Sequence, residues 1–404
     1  MTEGFSLKKQ RDVFLQTLRN DIVLKQFRKE DHKNCFNQLG AGRLFSEGLW
    51  DSSLFRLMFS IGLPPMFLFS DVFVPLKYSF RKIFHKRKKY QLNRLYLHQE
   101  KRLLTLSKSA GIQSTDDVWF QNPFDTMTLP KEYKTLSALD FISFAEIWKA
   151  VWQAIILHVT TIITLGYDKY FLSFRAYEWC IADFALRHIP LDVNMTFSCI
   201  CDRMAILYDH LPHANKTMIQ HGVMHFHNLT ESSSFSWQED LGAYIWKSLY
   251  KSSPTTVYCF TEDDIIALSR SVIANQPKFI IMGYGFKPSF KPEKKSVLIV
   301  GNPTLFIKYE GQIIKELQGL DIELYLKNHP AEVNSKYDSL RNQFNFNFIE
   351  GKDTRFPDVD LLISYDSTLA YEYASVGAKV LYYGHFDINN IRNIVIDELS
   401  LLQE

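Results

Sequence analysis

From residue 195 onward the chain alternates short apolar runs with amphipathic stretches. Met195–Ile200, Lys216–Gln220, Thr255–Phe260 and Phe279–Met282 read as strands, each closing on a polar or glycine-containing cluster. Asp202–His210 and Thr261–Ser271 read as intervening helices, the second opened by the capping sequence Thr261-Glu262-Asp263-Asp264. Lys287–Lys295 carries two prolines and four lysines and reads as a linker. The rhythm then restarts. Ser296–Val300, Ile322–Leu326, Phe346–Ile349, Val359–Ile363 and Lys379–Tyr383 read as strands. Phe306–Leu317, Ser335–Phe344, Leu369–Val376 and Ile388–Leu402 read as helices. Alternation of this kind predicts parallel sheets flanked by helices.

The first part of the chain has a different pattern. Residues 1 to about 50 mix charged and apolar positions at helical spacing, and residues 95–135 look loop-rich. Phe141–Leu165 and Tyr170–His188 read as helices; the apolar core of the first, Ala150–Leu165, falls short of a span of ~20 residues, so a buried or interfacial helix is expected. Leu57–Phe69 is strongly apolar but broken by Pro64-Pro65, and a basic run follows: Arg81, Lys82, Lys86, Arg87, Lys88, Lys89 and Arg94. Apolar surface beside a polybasic run fits reversible attachment to an anionic membrane, so residues 54–94 are the expected membrane contact; a solvated charged face beside a buried segment is the alternative. The expected organisation is α/β. It has a helical, basic N-terminal region at 1–135, one Rossmann-like domain at 136–290 and a second at 291–404, the two domains facing a cleft.

Composition narrows the function. Of 404 residues, 46% are hydrophobic and 22% charged, an ordinary globular balance. A net charge of only +2 supplies no global field for nucleic acid, and no nucleic-acid partner is expected. The five cysteines are scattered without a CxxC pair, which argues against a disulfide framework or structural zinc and for a reducing cytoplasm. The first residues lack the apolar region of a signal peptide, so a cytoplasmic location is expected, peripheral at the inner face of the plasma membrane.

Four polar clusters fall at strand ends: Gln220-His221-Gly222, Gly301-Asn302-Pro303, Lys327-Asn328-His329-Pro330, and Ser364-Tyr365-Asp366-Ser367-Thr368. In an open parallel sheet such positions line one crevice. The last cluster runs into a helix, so its hydroxyls suit either an N-cap or an anion at the helix N-terminus. Together the clusters suit a phosphate-bearing ligand. No P-loop and no GxGxxG follows a strand, and no acidic DxD pair stands at a strand end. The charge of such a ligand is therefore expected to be offset by side chains and helix dipoles, with no obligatory cofactor and no metal. His221, His225 and His227 do not make a usual zinc set; His221 fits better as a neutral donor or general base. Ser367 lacks a nucleophile elbow.

In their order, Gln220-His221-Gly222, Lys327-x-His329-Pro330 and Ser364-x-x-Ser367-Thr368-x-x-x-Glu372 resemble the two-Rossmann (GT-B) glycosyltransferases that build bacterial capsule and lipopolysaccharide. The His-Pro and Ser-Thr elements are similar to those of sialyl- and Kdo-transferases, and a related arrangement occurs in CDP-glycerol glycerophosphotransferases of teichoic acid synthesis. The resemblance spans about residues 195–385. It implies a nucleotide-sugar co-substrate, with a CMP-sugar favoured. Lys327, His329, Ser364, Ser367, Thr368 and Asn302 would hold its phosphate, and Glu372 would take the ribose hydroxyls. It also implies a glycan or lipid-linked acceptor near Gln220 and Arg203. The first domain lacks the acidic Asp/Glu-Asp/Glu-Gly element of many sialyltransferases, and His221 and Asp202 stand as the candidates for the base. The alternatives are a CDP-polyol phosphotransferase and a non-catalytic nucleotide- or glycan-binding protein.

Overall fold

The computed structural model describes residues 7–25, 74–85, 88, 90–97, 101–121, 129, 131–166, 173, 176–198, 204–220, 250–330, 332–365 and 367–401. The described residues up to Met282 form one compact unit and those from Gly283 a second. Unit 1 contains α1 (Leu7–Lys25), α2 (residues 74–84), β1 (Arg94–Tyr96), α3 (Lys101–Ser109), β2 (Val118–Gln121), β3 (Lys134–Ser137), α4 (Ala138–Phe141), α5 (Phe144–Leu165) and α6 (Ala176–Arg187). It continues with β4 (Asn194–Ser198), α7 (Ala205–Asp209), β5 (Lys216–Ile219), β6 (Thr256–Cys259), α8 (Glu262–Ser271) and β7 (Lys278–Ile281). Its seven strands are all parallel, in the order β3-β2-β1-β4-β5-β6-β7.

Three of these strands lie where the sequence pattern suggested loops or a separate N-terminal region. β1 is only three residues long, yet it sits mid-sheet, pairing Leu95 with Val118 on one side and Met195 on the other. The expected division at residue 135 therefore falls inside β3, and β1, β2 and β3 belong to the first sheet. The helical N-terminus is tied to the same unit. Val13, Phe14 and Leu18 of α1 are buried, the Phe14 ring meets Trp179 edge-on, and Gln10 Nε2 donates to the buried Asp183 at 2.6 Å. α5 is 22 residues long and lies within the expected Phe141–Leu165, and Ser143 and Glu146 form a reciprocal cap that fixes its start. Among the described residues it is the one helix long and apolar enough to cross a membrane. One face, with Ile147, Ala154 and Leu157, is buried in unit 1, while Trp148, Trp152 and Ile163 on the other are exposed.

Unit 2 contains β8 (Ser296–Val300), α9 (Pro303–Leu317), β9 (Glu323–Lys327), a 3-10 turn (Asn334–Tyr337), α10 (Asp338–Gln343), β10 (Asn347–Ile349), β11 (Leu361–Ser364), α11 (Thr368–Ser375), β12 (Lys379–Tyr382), a second 3-10 turn (Ile388–Asn390) and α12 (Ile391–Leu401). Its five strands are parallel, in the order β10-β9-β8-β11-β12. Every residue of β8 and β11 is buried, which is what continuous runs such as Ser-Val-Leu-Ile-Val require when helices cover both faces. Each unit is thus a doubly wound α/β sheet, as expected for a Rossmann-like domain, and each chain path starts mid-sheet and reverses direction once.

Candidate functional site

The reversal in unit 2 falls between β8 and β11. Connections leave these neighbouring strands towards opposite sides, opening a crevice at their carboxyl ends. Two helix N-termini follow directly. Asn302 is the N-cap of α9 and Pro303 its first residue, a position where the missing proline N–H costs nothing. Ser367 is the N-cap of α11, its hydroxyl accepting from Ala370 N at 3.2 Å. Ser364 ends β11 fully buried; its Oγ donates to Tyr365 O at 2.6 Å and lies 3.0 Å from Ser367 Oγ. Asn302 and the Ser364–Thr368 loop, far apart in sequence, are therefore set on adjacent strands.

Behind this crevice lies a polar network that the motif reading missed. Glu310, on the third turn of α9, is completely buried. One carboxylate oxygen accepts from Asn302 N and the other from Tyr337 Oη, both at 2.6 Å. Burial pushes Glu310 up to about 7, against the pull of these two donors. Tyr383 Oη donates to Val300 O at 2.9 Å, and Tyr383 N to Ser364 O at 2.8 Å, so one residue after β12 ties both strand ends together. Phe306 stacks on Tyr365 and meets Tyr383 edge-on. Gly301 makes way for Tyr337: a Cβ there would lie 2.2 Å from its hydroxyl oxygen. Glu310 reads in sequence as one acid on an amphipathic helix, and only the fold brings Tyr337 against it.

Lys327 departs from its expected role. It is 4% exposed, and its Nζ donates to the carbonyls of Glu350 (2.5 Å), Gly351 (2.7 Å) and Asn328 (3.3 Å). An ammonium has three N–H donors, so all are committed to backbone and none is left for a phosphate. Burial also lowers its pKa to about 8. Lys327 is a clamp between β9 and the turn after β10. His329 is half-buried in the loop after β9, and its backbone runs so close to Gly351 that a Cβ there would sit 2.6 Å from the His329 carbonyl oxygen. Thr368 opens α11, and Glu372 lies one turn on, buried at 6% exposure. Two buried amide oxygens at the ends of β8 and β9, Asn302 Oδ1 and Asn328 Oδ1, have no hydrogen-bond partner among the described residues.

In unit 1, Gln220 is fully buried. Its Oε1 accepts from Phe260 N at 3.2 Å and its Nε2 donates to Asp264 at 2.6 Å, which fixes the turn into α8 and commits both ends of the amide. That is scaffolding at the strand end, in place of the expected acceptor contact. His221, Asp202 and Arg203 lie outside the described residues. Among the described residues, no three His, Cys, Asp or Glu side chains converge as a metal-ligand set.

No family model and no curated protein matches the chain. Solved structures do. The wall teichoic acid polymerase TagF, an H444N variant with CDPG, is similar at 10% identity and TM-score 0.40, over 83% of this chain and 90% of that one. MurG of Acinetobacter baumannii is similar at 10% identity and TM-score 0.33, over 76% and 92%. A UDP-glucosyltransferase from Polygonum tinctorium is similar at 9% identity and TM-score 0.36, over 77% and 84%. At such scores these likenesses carry no argument, and the fold assignment stands on strand order and register.

Proposed function

We propose that the chain is a GT-B-like glycosyltransferase that moves a sugar from a nucleotide-activated donor, a CMP-sugar in the favoured reading, to a growing surface glycan. The observation that supports this reading is the switch point of unit 2. Asn302 and Ser364–Ser367 sit there on adjacent strands, each at the start of a helix. The positive ends of α9 and α11 suit the donor phosphate. His329 and Thr368 add donors to the phosphate, and Glu372 accepts from ribose.

In the reaction, an acceptor hydroxyl oxygen bonds to the anomeric carbon as the bond from that carbon to the donor phosphate breaks. The electron pair leaves on the phosphate oxygen, where the helix N-termini stabilise it. The hydroxyl proton passes to a base, His221 or Asp202. The acceptor is a glycan or lipid-linked chain, and the enzyme works at the inner face of the plasma membrane, contacting it through residues 54–94.

Thermal shift and calorimetry with CMP, UDP, GDP and CDP-glycerol test this directly. Stabilisation by CMP, with release of CMP from a CMP-sugar, is expected. Turnover of CDP-glycerol would assign phosphoryl transfer instead. Nucleotide binding without turnover would leave a binding protein, and no nucleotide binding would remove the donor site.

A further inference from the structure

Unit 1 carries a polar cluster of its own. A cavity of about 630 Å³ opens at the carboxyl ends of β2 and β3, lined by Gln121, Ser137, Arg81, His85 and Lys88 and walled by Tyr78. Asp140 is the one carboxylate among its described lining residues. Its side chain is 2% exposed and its oxygens are already engaged. One accepts from Ser137 N at 2.7 Å. The other accepts from Lys88 N and meets His85 Nε2, each at 2.8 Å. A carboxylate can only accept, so His85 Nε2 carries the hydrogen. That leaves Nδ1 as the second nitrogen of a ring held in fixed orientation, and it has no partner among the described residues.

The charge around this cavity is unbalanced. Arg81 has no carboxylate partner among the described residues, and Lys88 Nζ reaches only Thr135 O and Oγ1, at 3.3 and 3.4 Å. Two cations and an oriented imidazole therefore face a cavity whose single acid is already satisfied, a chemistry that selects a phosphate. Helix α2, which carries Arg81, also carries Phe80, Ile83 and Phe84, exposed at 66%, 62% and 78%. Large aromatic and aliphatic side chains left this open within one turn of a basic helix suit an acyl layer next to a phosphate plane.

We propose that this cavity binds the headgroup phosphate of an anionic phospholipid, with Arg81, His85 and Lys88 as its ligands and Phe80 and Phe84 entering the acyl region. The site rests on the membrane placement in the reading above but is independent of transfer chemistry.

Flotation of the full chain with phosphatidylcholine vesicles, with and without phosphatidylglycerol, tests it, alongside calorimetry with soluble glycerol 3-phosphate. The expected result is binding that requires phosphatidylglycerol. The pair Arg81→Gln and Lys88→Gln should weaken it by roughly thirtyfold. His85→Gln, which removes the ring held by Asp140, should weaken it by about tenfold. Phe84→Ser, at an exposed position, should weaken vesicle binding and leave glycerol 3-phosphate binding unchanged. Equal binding to phosphatidylcholine alone would overturn the proposal, as would His85→Gln binding like the parent while the charge pair matters. Glycerol 3-phosphate binding without vesicle binding would also overturn it, by reassigning the cavity to a soluble ligand. CMP affinity is measured on the same variants. Loss of vesicle binding with CMP binding intact would separate a failure here from a failure of the transferase reading.

Discussion

Glu310→Gln gives the sharpest test of how the crevice of unit 2 is held. In the unfolded chain this carboxyl releases its proton near 4.5; in the native state burial holds it until about 7. Between those values the native state keeps a proton that the unfolded chain has lost, so stability falls as pH rises through the window and levels off above it. The separation corresponds to about 3 kcal/mol. A fully buried side chain leaves little screening to discount this. Glutamine keeps the shape: its oxygen accepts from Asn302 N, and its amide donates to Tyr337 Oη, whose hydrogen turns elsewhere. The variant should match the parent at pH 4.5 and exceed its stability by about 3 kcal/mol at pH 8. A whole-chain unfolding curve mixes two units, so the readout is hydrogen exchange of β8, β9 and β11 amides across a urea series at several pH values. If the variant shows the parental decline from pH 4.5 to 7, the slope arises elsewhere and the assignment to Glu310 is wrong.

Three further outcomes follow from the same geometry. Ser367→Asp retains an N-cap acceptor, so stability should change by no more than about 0.5 kcal/mol, whereas Ser367→Ala should lose about 1 kcal/mol. The aspartate nonetheless sets a negative charge at the proposed phosphate position, and calorimetry should show CMP affinity down about tenfold or more; unchanged affinity would leave the loop as a cap alone. Lys327→Met strands three carbonyls and should destabilise unit 2 by about 2 kcal/mol, with CMP affinity in the folded protein changed by no more than about threefold. A larger affinity loss would return Lys327 to the ligand. Gly351→Ala forces its Cβ against the His329 carbonyl and should cost about 1–3 kcal/mol by hydrogen exchange of the unit 2 strands, with His329 displaced.

How far the sequence can be read depends on where each element's information lies. β8 and β11 are legible because a strand buried on both faces must be an uninterrupted apolar run, and such a run is local. β1 to β3 are illegible for the opposite reason. Arg94–Tyr96 is too short to show a period, and Lys134-Thr135 on edge strand β3 is only half-buried. What makes these strands is pairing across long stretches of chain. The crevice of unit 2 was visible as a series of polar strand ends, but the destinations of the individual side chains were not. Lys327 beside His329 reads as phosphate chemistry until the Glu350 and Gly351 carbonyls are seen around its Nζ. Gln220 similarly reads as a site residue until both ends of its amide are seen to be used.

The central position of β1 bears on the order in which the molecule assembles. Leu95 cannot meet Met195 until the whole intervening stretch has been made and closed into a loop, whereas Val297 meets Leu324 across a single helical crossover. Loop closure must precede the contacts that reward it, so a sheet whose middle depends on distant segments forms slowly. The C-terminal unit, although synthesised last, is therefore expected to reach its native pairing first. The earlier-made half would then wait with apolar strands such as Val118-Trp119-Phe120 uncovered, and that interval is when a nascent chain most needs a chaperone.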